Sequence, residues 1–475
     1  MIFSSYGFIF IFFPVVFMGY WLLQYFSSNL MAKWWLISAS LVFYSFGSLT
    51  FAPILILTVV FNYFVARGII QAREKKNETL PKLLLSLSFM ENLGLLFYFK
   101  YYNFFLGNVN FVFGSDLPFR DIILPLGISF YTFQILSYVI EVYRGKTGNF
   151  TLTEFVTFVT FFPQLIVGPV VRHNEMLPQL RDESLRRLDK NNIMLGILLF
   201  SIGCAKKILL ADPMIAFAQN FYNVLGSGNF FESWGAVFSY TFAYYFDFSG
   251  YIDMALGLGL FFNIKLPKNF DSPYKARNFS DFWQRWNITV SKFFEDYIFN
   301  SIFHFGNGFG KLVLATMATF LVSGIWHGAG WHFIFWGLAN GILVFCSYLM
   351  RLGRKKMPFL CAWALTFFFV LLTRVLFDAN NMTQAIVVFK SMFNLSGLFE
   401  NPSAFLAMGV DYFKENDLIT ALLAVGAGIC FFAKNSNEIS ENFSPKWQYA
   451  VFAGILLTVC FFRMTAVSQF LYFQF

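Results

Sequence analysis

The sequence has 475 residues, of which 57% are hydrophobic, 22% aromatic and only 13% charged, with a net charge of +8. A soluble domain carries about 25% charged residues, so a chain of this length and charge content cannot cover a water-facing surface. The composition therefore excludes an ordinary soluble enzyme and indicates a protein embedded in a lipid bilayer through several spans.

The Lys and Arg residues are scattered between long apolar runs and form no continuous stripe. This pattern excludes a nucleic-acid surface, and in a membrane protein such residues usually mark cytoplasmic loops. None of the five cysteines belongs to a C-x-x-C pair. Their positions in apolar segments favour small buried side chains over a disulfide framework or a thiolate zinc site.

A membrane span needs roughly 20 apolar residues, and thirteen segments of the chain approach that requirement. The first, 7–26, precedes the first charged residue, Lys33, so we expect a retained span and not a cleavable signal peptide. The candidate spans are 7–26, 34–48, 51–66, 83–99, 122–142, 152–171, 192–210, 234–262, 311–325, 331–350, 359–376, 417–433 and 447–463.

Three of these segments, 152–171, 234–262 and 311–325, are short or rich in polar residues, and we expect them to be re-entrant or broken. We therefore predict an all-α polytopic membrane protein with roughly 11 transmembrane helices plus re-entrant or interfacial helices. No repeat of 20–50 residues is present, and a single domain of residues 1–475 is the simplest division.

The distribution of Lys and Arg predicts the orientation of the chain. The loops 67–82 and 351–358 are strongly basic and are expected in the cytoplasm, whereas 377–417 is mostly acidic and is expected outside. Both chain ends, including the terminal LYFQF, then lie outside. The region 263–310 interleaves basic and aromatic residues and is expected on the cytoplasmic side, partly dipping into the bilayer.

Two apolar stretches contain residues that are unusual within a membrane helix, prolines in the first and carboxylates in the second. FFPQLIVGPVVRHNEMLPQL, from Phe161, contains two prolines before Arg172 and His173, and alone it indicates a turn. YYFDFSGYIDMALGLG, from Tyr244, holds Asp247 and Asp253 in an otherwise apolar run. Buried carboxylates need partners, so they can either pin a broken helix or contribute to a functional site.

The stretch NFDSPYKARNFSDFWQRWNITVSKFFEDYIF, from Asn269, combines cations with aromatic residues and an amide. Lys275, Arg277, Arg285 and Lys292 are able to hold phosphate groups on the cytoplasmic side. The alternative is an interfacial helix whose cations extend towards the lipid headgroups. Asn287, next to Trp286, offers both a hydrogen-bond donor and an acceptor.

Two of the four histidines, His327 and His332, lie in the apolar stretch LVSGIWHGAGWHFIFWG. They are five residues apart, about 140° around a helix, and no Asp, Glu or Cys is near, so a metal site is not expected. His332 begins a strongly apolar run and fits a packed structural role. His327 lies among Trp326 and several glycines, which favours a functional imidazole that stays neutral as a general base.

Taken together, these blocks resemble the membrane-bound O-acyltransferase family, and within it the bacterial subgroup of alginate O-acetyltransferase membrane subunits. The resemblance covers nearly the whole chain, and its blocks are specific only as an ordered set. They are PLGISFYTFQILSYVIEVYRG from Pro125, FFPQLIVGPVVR from Phe161, YFDFSGYIDMALGLG from Tyr245, NFDSPYKARNFSDFWQRW from Asn269, SGIWHGAGWHFIFWG from Ser323 and the terminal YFQF.

The resemblance implies a helical funnel with a catalytic histidine at its narrow centre, and His327 falls on that position. Members of the subgroup often read RWHISLS where this chain reads RWNITVS, so Asn287 replaces a histidine. This departure argues against a mechanism with two histidines and suggests a His327–Asn287 pair, without a metal or a bound cofactor.

The resemblance also implies a reaction at a bacterial cytoplasmic membrane. Acetyl is taken from cytoplasmic acetyl-CoA, and a periplasmic or extracellular acetyltransferase partner places it on a hydroxyl of a cell-surface polysaccharide, which is either an alginate-like exopolysaccharide or peptidoglycan. The implied contacts to substrate or CoA are Trp326, Arg285, Trp286, Lys275, Arg277 and Asp247. The rival hypothesis is a secondary transporter without acyl chemistry, which is expected to show inverted repeats that the sequence lacks.

Overall fold

The computed structural model describes residues 2–224, 228–304, 306–353, 357–464 and 470–471, with the side chain of residue 48 left aside. Every regular element in these ranges is helical. The chain divides into two compact units. Unit 1 comprises Met1–Gly203, Tyr251–Lys268 and Phe443–Val467, and unit 2 comprises Cys204–Gly250, Asn269–Asn442 and Ser468–Phe475. That residues 1–475 form a single domain stays a prediction.

The first half of the chain forms eleven α-helices, extended in places by single π-helical or 3₁₀ turns. The π-helical turns are Phe8–Phe12, Phe97–Tyr101 and Lys206–Ala211, and the 3₁₀ turns are Leu49–Phe51 and Glu183–Arg186. The α-helices are α1 (Phe13–Phe26), α2 (Asn29–Ser48), α3 (Ala52–Glu74), α4 (Thr79–Leu96), α5 (Tyr102–Phe113), α6 (Ile128–Tyr143), α7 (Leu152–Thr160), α8 (Phe162–Leu165), α9 (His173–Arg181), α10 (Lys190–Ala205) and α11 (Asp212–Asn223).

The second half begins with the longest single α-helix among the described residues and continues with short helices before the next long ones. A 3₁₀ turn covers Pro273–Lys275 and a π-helical turn covers Glu295–Phe299. The α-helices are α12 (Phe230–Phe261), α13 (Phe279–Arg285), α14 (Ile288–Phe294), α15 (Asn300–Ile302), α16 (Phe309–His327), α17 (Trp331–Leu352), α18 (Phe359–Asp378), α19 (Met382–Met392), α20 (Ser396–Glu400), α21 (Pro402–Glu415), α22 (Asp417–Phe432), α23 (Ser436–Glu441) and α24 (Trp447–Arg463).

Seven helices in the described ranges are long and apolar enough to cross a membrane, or eight if α21 and α22, bent by 87°, form one span. The seven are Phe8–Phe26, Leu49–Glu74, Thr79–Phe113, Lys190–Asn223, Phe309–His327, Trp331–Leu352 and Phe359–Asp378. The all-α polytopic fold is thus confirmed, but the count of roughly 11 spans is not. Two candidates, α6 and α24, have only 16 and 17 residues, and a span needs about 20.

The three segments expected to be re-entrant or broken behave differently. Segment 152–171 is broken, because the chain leaves helical geometry at Phe161 and α8 ends after four residues. For 234–262 and 311–325 the expectation is wrong: each lies in an unbroken helix, α12 of 32 residues and α16 of 19. In α12 the carboxylate of Asp247 finds its partner in a lysine side chain, so the backbone need not open to satisfy it.

The predicted basic loop 67–82 is shorter than expected, because α3 continues to Glu74 and α4 begins at Thr79. The orientation of the loops and of both chain ends remains a prediction. Of the predicted cytoplasmic loop 351–358, residues 354–356 lie outside the described residues, as do residues 472–475 of the predicted outer C-terminus.

One charged cluster in unit 1 holds α7 against α9. Thr151 caps α7 in a reciprocal arrangement with Glu154, and Arg181 on α9 donates to both carboxylate oxygens of Glu154 at 2.8 and 2.7 Å. Lys33 approaches the same carboxylate at 3.8 Å. Burial raises the pKa of Glu154, but the hydrogen bonds from Arg181 and Thr151 outweigh it and lower that pKa to about 2. The carboxylate is therefore charged at neutral pH.

Candidate active site

Helices α16 and α17 form a close antiparallel pair in unit 2, and small residues make that approach possible. A Cβ atom on Gly324 would lie 2.4 Å from the Phe333 carbonyl oxygen, and one on Gly337 would lie 2.4 Å from that of Phe320. Larger side chains do not fit at such a contact, which is the usual role of glycines between membrane helices. The pair places His327 at the last residue of α16, just before the turn.

Three aromatic rings surround the His327 imidazole. The ring centroids of Trp326, Trp336 and Phe377 lie 4.8, 4.9 and 5.2 Å from it, at interplanar angles of 69°, 84° and 76°. Such edge-on arrangements are the preferred geometry of aromatic contacts. The histidine is only 6% exposed. The rings restrict the imidazole to a narrow range of orientations and shield most of its surface.

Asn287 lies in the tight turn between α13 and α14, in left-handed backbone geometry (φ 44°, ψ 54°) that asparagine tolerates better than most residues. Asn269 holds this turn. Its amide nitrogen donates to the Asn287 side-chain oxygen at 3.0 Å, and its own side-chain oxygen accepts from the backbone N–H and the hydroxyl of Thr289, each at 2.9 Å. Asn269 is 1% exposed, and no role was predicted for it from the sequence.

His327 and Asn287, 40 residues apart in sequence, line the same cavity in unit 2. The cavity has a volume of about 130 Å³, about ten times the roughly 10–15 Å³ that one water needs. It thus has room for a small acyl group. Further polar side chains on its wall include Ser323, Gln284 and Glu295. These three were not singled out in the sequence, where nothing marks which polar residues face a cavity.

The two tryptophans predicted to contact substrate are not among the residues that line the cavity. Trp326 packs edge-on against Phe294, a cavity residue, at 5.9 Å. Trp286 lies in an aromatic stack, with its ring 5.9 Å from that of Tyr244 and 5.7 Å from that of Phe282, both nearly parallel. Both tryptophans are buried. Their contact with a substrate remains a prediction.

The cations predicted to hold CoA are not among the cavity-lining residues either. Arg285 forms an ion pair with Asp281 at 2.7 Å, and the Lys275 ammonium donates to the Ala433 carbonyl oxygen at 2.8 Å. The Arg277 guanidinium lies 4.4 Å above the Phe359 ring and lines a separate groove. Their role in binding CoA stays a prediction.

Asp247 makes a buried ion pair instead of facing the cavity. Its carboxylate lies 2.6 Å from the Lys207 ammonium, which also contacts Asp212 at 2.8 Å, and it accepts from the backbone N–H of Leu471 at 2.9 Å. The predicted contact with substrate thus has no support from this geometry. The alternative, a structural carboxylate that anchors chain segments, describes these contacts well.

A second buried ion pair, Arg374–Asp378, was missed in the sequence. The two side chains pair within α18, and the guanidinium lies 3.8 Å above the Tyr244 ring and 4.6 Å above the Phe377 ring. Because Phe377 contacts His327, this pair supports the aromatic wall of the site. An arginine and an aspartate four apart in an apolar span were a readable signal.

The other three histidines lie elsewhere. His332 is 7% exposed and packs against Phe333 with a centroid distance of 4.3 Å, and it does not line the cavity. His173 in unit 1 packs edge-on against Tyr138 at 5.6 Å, and burial lowers its pKa to about 4. His304 is exposed. In the part of the chain that the structure describes, no group of three His, Cys, Asp or Glu side chains suits a metal ion.

Comparison with known proteins gives the family. The model of the membrane-bound O-acyltransferase family matches residues 74–382, a range that contains both Asn287 and His327. A peptidoglycan O-acetyltransferase of Helicobacter pylori is 39% identical over 100% of this chain and 98% of its own length. A probable alginate O-acetylase of Azotobacter vinelandii is 35% identical over 83% of this chain and 78% of its own. A teichoic acid D-alanyltransferase of Streptococcus thermophilus is 34% identical over 46% of this chain and 55% of its own length. The chain belongs to the membrane-bound O-acyltransferase family.

Proposed function

We propose that this protein takes acetyl from cytoplasmic acetyl-CoA and passes it across the membrane for O-acetylation of a cell-envelope polysaccharide, with His327 as the general base. The observation that carries the proposal is the cavity that His327 and Asn287 share. In this cavity, the base His327 and the amide of Asn287, which are far apart in sequence, can act on the same bound acetyl group.

The acyl transfer needs one base and one oxyanion donor. A ring nitrogen of His327 takes the proton of the acceptor hydroxyl while that oxygen attacks the thioester carbonyl carbon. The carbon–sulfur bond then breaks, and the imidazolium returns the proton to the CoA thiolate. General base catalysis of this kind is typically worth about 10²–10⁴ in rate. An acetyl-histidine intermediate is the alternative route, with His327 as nucleophile.

Asn287 supplies the donor in this scheme. Its side-chain oxygen accepts from Asn269, so its amide nitrogen is the group that is able to donate to the developing oxyanion. One such donor is typically worth about 10²–10³ in rate. The departure from a second histidine at this position is thus compatible with acyl transfer.

Among the acceptors left open by the sequence, peptidoglycan is favoured over an alginate-like exopolysaccharide. The relative named as a peptidoglycan O-acetyltransferase aligns over 98% of its length, whereas the alginate O-acetylase of Azotobacter vinelandii aligns over 78% of its own. Because CoA is cytoplasmic and the polymer is outside, a periplasmic or extracellular partner protein completes the transfer. The bacterial relatives support a location in the cytoplasmic membrane. Membership in an acyltransferase family weighs against the transporter hypothesis.

The proposal is tested by the O-acetyl content of purified cell wall and exopolysaccharide from a deletion strain. We expect the wall fraction to lose O-acetyl groups, which wild-type protein restores and the His327→Ala variant does not. The His332→Ala variant is a matched control, because it removes an equally buried histidine from the same stretch without touching the cavity. Equal rescue by wild type and His327→Ala would refute the proposed role, provided immunoblots show equal amounts in the membrane. Loss confined to the exopolysaccharide would instead identify that polymer as the acceptor.

A further inference from the structure

A groove separate from the candidate active site lies between α17 and α18 in unit 2. We refer to it as the α17–α18 groove, and it has a volume of about 480 Å³. Its apolar walls include Leu343 and Met350 on α17 and Leu365 and Phe369 on α18. Both helices are long and apolar enough to span a membrane, so this crevice lies where lipid surrounds the protein.

Two arginines give the groove a charged end. Arg351 is in the last turn of α17, and Arg277 enters from the segment before α13, where its guanidinium lies 4.4 Å above the ring of Phe359 at the start of α18. No acidic side chain is among the described residues that line the groove. In the sequence, Arg354, Lys355 and Lys356 follow Arg351 within five residues. The groove thus combines apolar walls with a positive mouth.

We propose that the α17–α18 groove binds one anionic phospholipid, with its phosphate between Arg277 and Arg351 and an acyl chain against the apolar walls. Arginine is the side chain best suited to hold a phosphate in two parallel hydrogen bonds. Basic pockets between membrane helices on the cytoplasmic side are a recurring site for acidic lipid headgroups. The volume is within the usual range for a bound organic ligand, about 300–1,000 Å³.

Acetyl-CoA, the phosphate ligand that the resemblance implies for Arg277, fits the groove poorly. Leu343, Cys346, Ser347 and Met350 form a stripe on one face of α17, whereas Val344 and Tyr348 line the His327 cavity from another. The two sites share no lining residue, and the N–H of Phe279 donates to the Ser347 hydroxyl at 3.2 Å on the groove side. An acetyl group held in the groove is thus separated from His327 by α17.

The alkylation rate of a native cysteine can report whether this groove is occupied. Cys346 and Cys361 are the two exposed cysteines, on α17 and α18 respectively, and only Cys346 lines the groove. The purified protein in a neutral detergent is treated with N-ethylmaleimide, with added phosphatidylglycerol, phosphatidylcholine or acetyl-CoA, and alkylation of each cysteine is followed by mass spectrometry. We expect phosphatidylglycerol to slow alkylation of Cys346 several-fold and to leave Cys361 unchanged, with little effect from phosphatidylcholine.

Substitution of the cations tests the headgroup contact. We expect Arg277→Gln/Arg351→Gln to abolish the selective protection by phosphatidylglycerol while its melting temperature stays near that of the wild type. Equal protection by both lipids, no protection of the wild type, or protection by acetyl-CoA would each overturn the proposal. The wild-type measurement stands without any variant, so it decides the matter even if the double variant does not fold.

Discussion

Asn269 offers the sharpest test of how the site is held, because its side chain binds that of Asn287 without lining the cavity itself. The Asn269→Ala change removes three hydrogen bonds, two from Thr289 and one to the Asn287 side chain. At a net ~0.5–1.5 kcal/mol each, the loss of all three amounts to roughly 1.5–4.5 kcal/mol of stability. The turn is then less firmly held, and the Asn287 amide is no longer fixed towards the cavity.

Because the Asn287 amide loses its fixed position, we expect kcat to fall. Complete removal of one oxyanion donor costs about 10²–10³ in kcat, so a donor that is present but misplaced should cost at least about tenfold. The matched control is Thr289→Val, which removes one of the same hydrogen bonds, at 2.9 Å, but leaves Asn269 bound to Asn287.

The assay is steady-state acetyl transfer by purified protein, supplied with glycan strands and a periplasmic extract that contains the partner protein. The kcat and the KM for acetyl-CoA are measured separately, and a melting curve is recorded for each variant. We expect Asn269→Ala to lower kcat with little change in KM, and Thr289→Val to lower only the melting temperature. Equal kcat for both variants, or a rise in KM alone for Asn269→Ala, would refute Asn269 as a positioning residue.

Two further predictions concern stability. Gly324→Ala places a methyl group 2.4 Å from the Phe333 carbonyl oxygen, so we expect a loss of about 1–3 kcal/mol and a lower melting temperature. Gly310→Ala in the same helix meets nothing within 4 Å and should be neutral or stabilising, so equal effects would contradict the packing account. The pKa of the Glu154 carboxylate is about 2, because the hydrogen bonds from Arg181 and Thr151 outweigh the effect of burial. Its contribution to stability is therefore fully present above the unfolded-state pKa of about 4.3 and is lost as the pH falls towards 2. The melting-temperature gap between wild type and Glu154→Gln should therefore be constant near neutral pH and shrink below pH 4.5, and a gap independent of pH would contradict the ion pair.

The sequence predicted the class of fold and the two central residues of the site for different reasons. Low charge and long apolar runs dictate membrane helices, whatever their packing. His327 stands out because an imidazole among glycines and tryptophans at membrane depth is unusual. Asn287 was noted as an amide beside Trp286, but its pairing with His327 came from the resemblance, and its place in the same cavity depends on tertiary packing across 40 residues.

What the sequence did not predict is which partner each buried charge finds. Asp247 suggested a broken helix, yet Lys207, 40 residues away, pairs with it and lets α12 remain continuous. Similarly, a scan for apolar length does not reveal that α6 ends after 16 residues. Nothing in the sequence marks Asn269, because its role depends on a turn 18 residues away.

The central claim, that His327 is the base of an acetyl transfer, is tested most directly by the release of CoA. Purified protein in proteoliposomes receives acetyl-CoA, glycan strands isolated from the deletion strain and a periplasmic extract that supplies the partner protein, and free CoA is measured with a thiol reagent. We expect release by wild type and His332→Ala and almost none by His327→Ala. Equal release by all three proteins would contradict the assignment of His327 as the base.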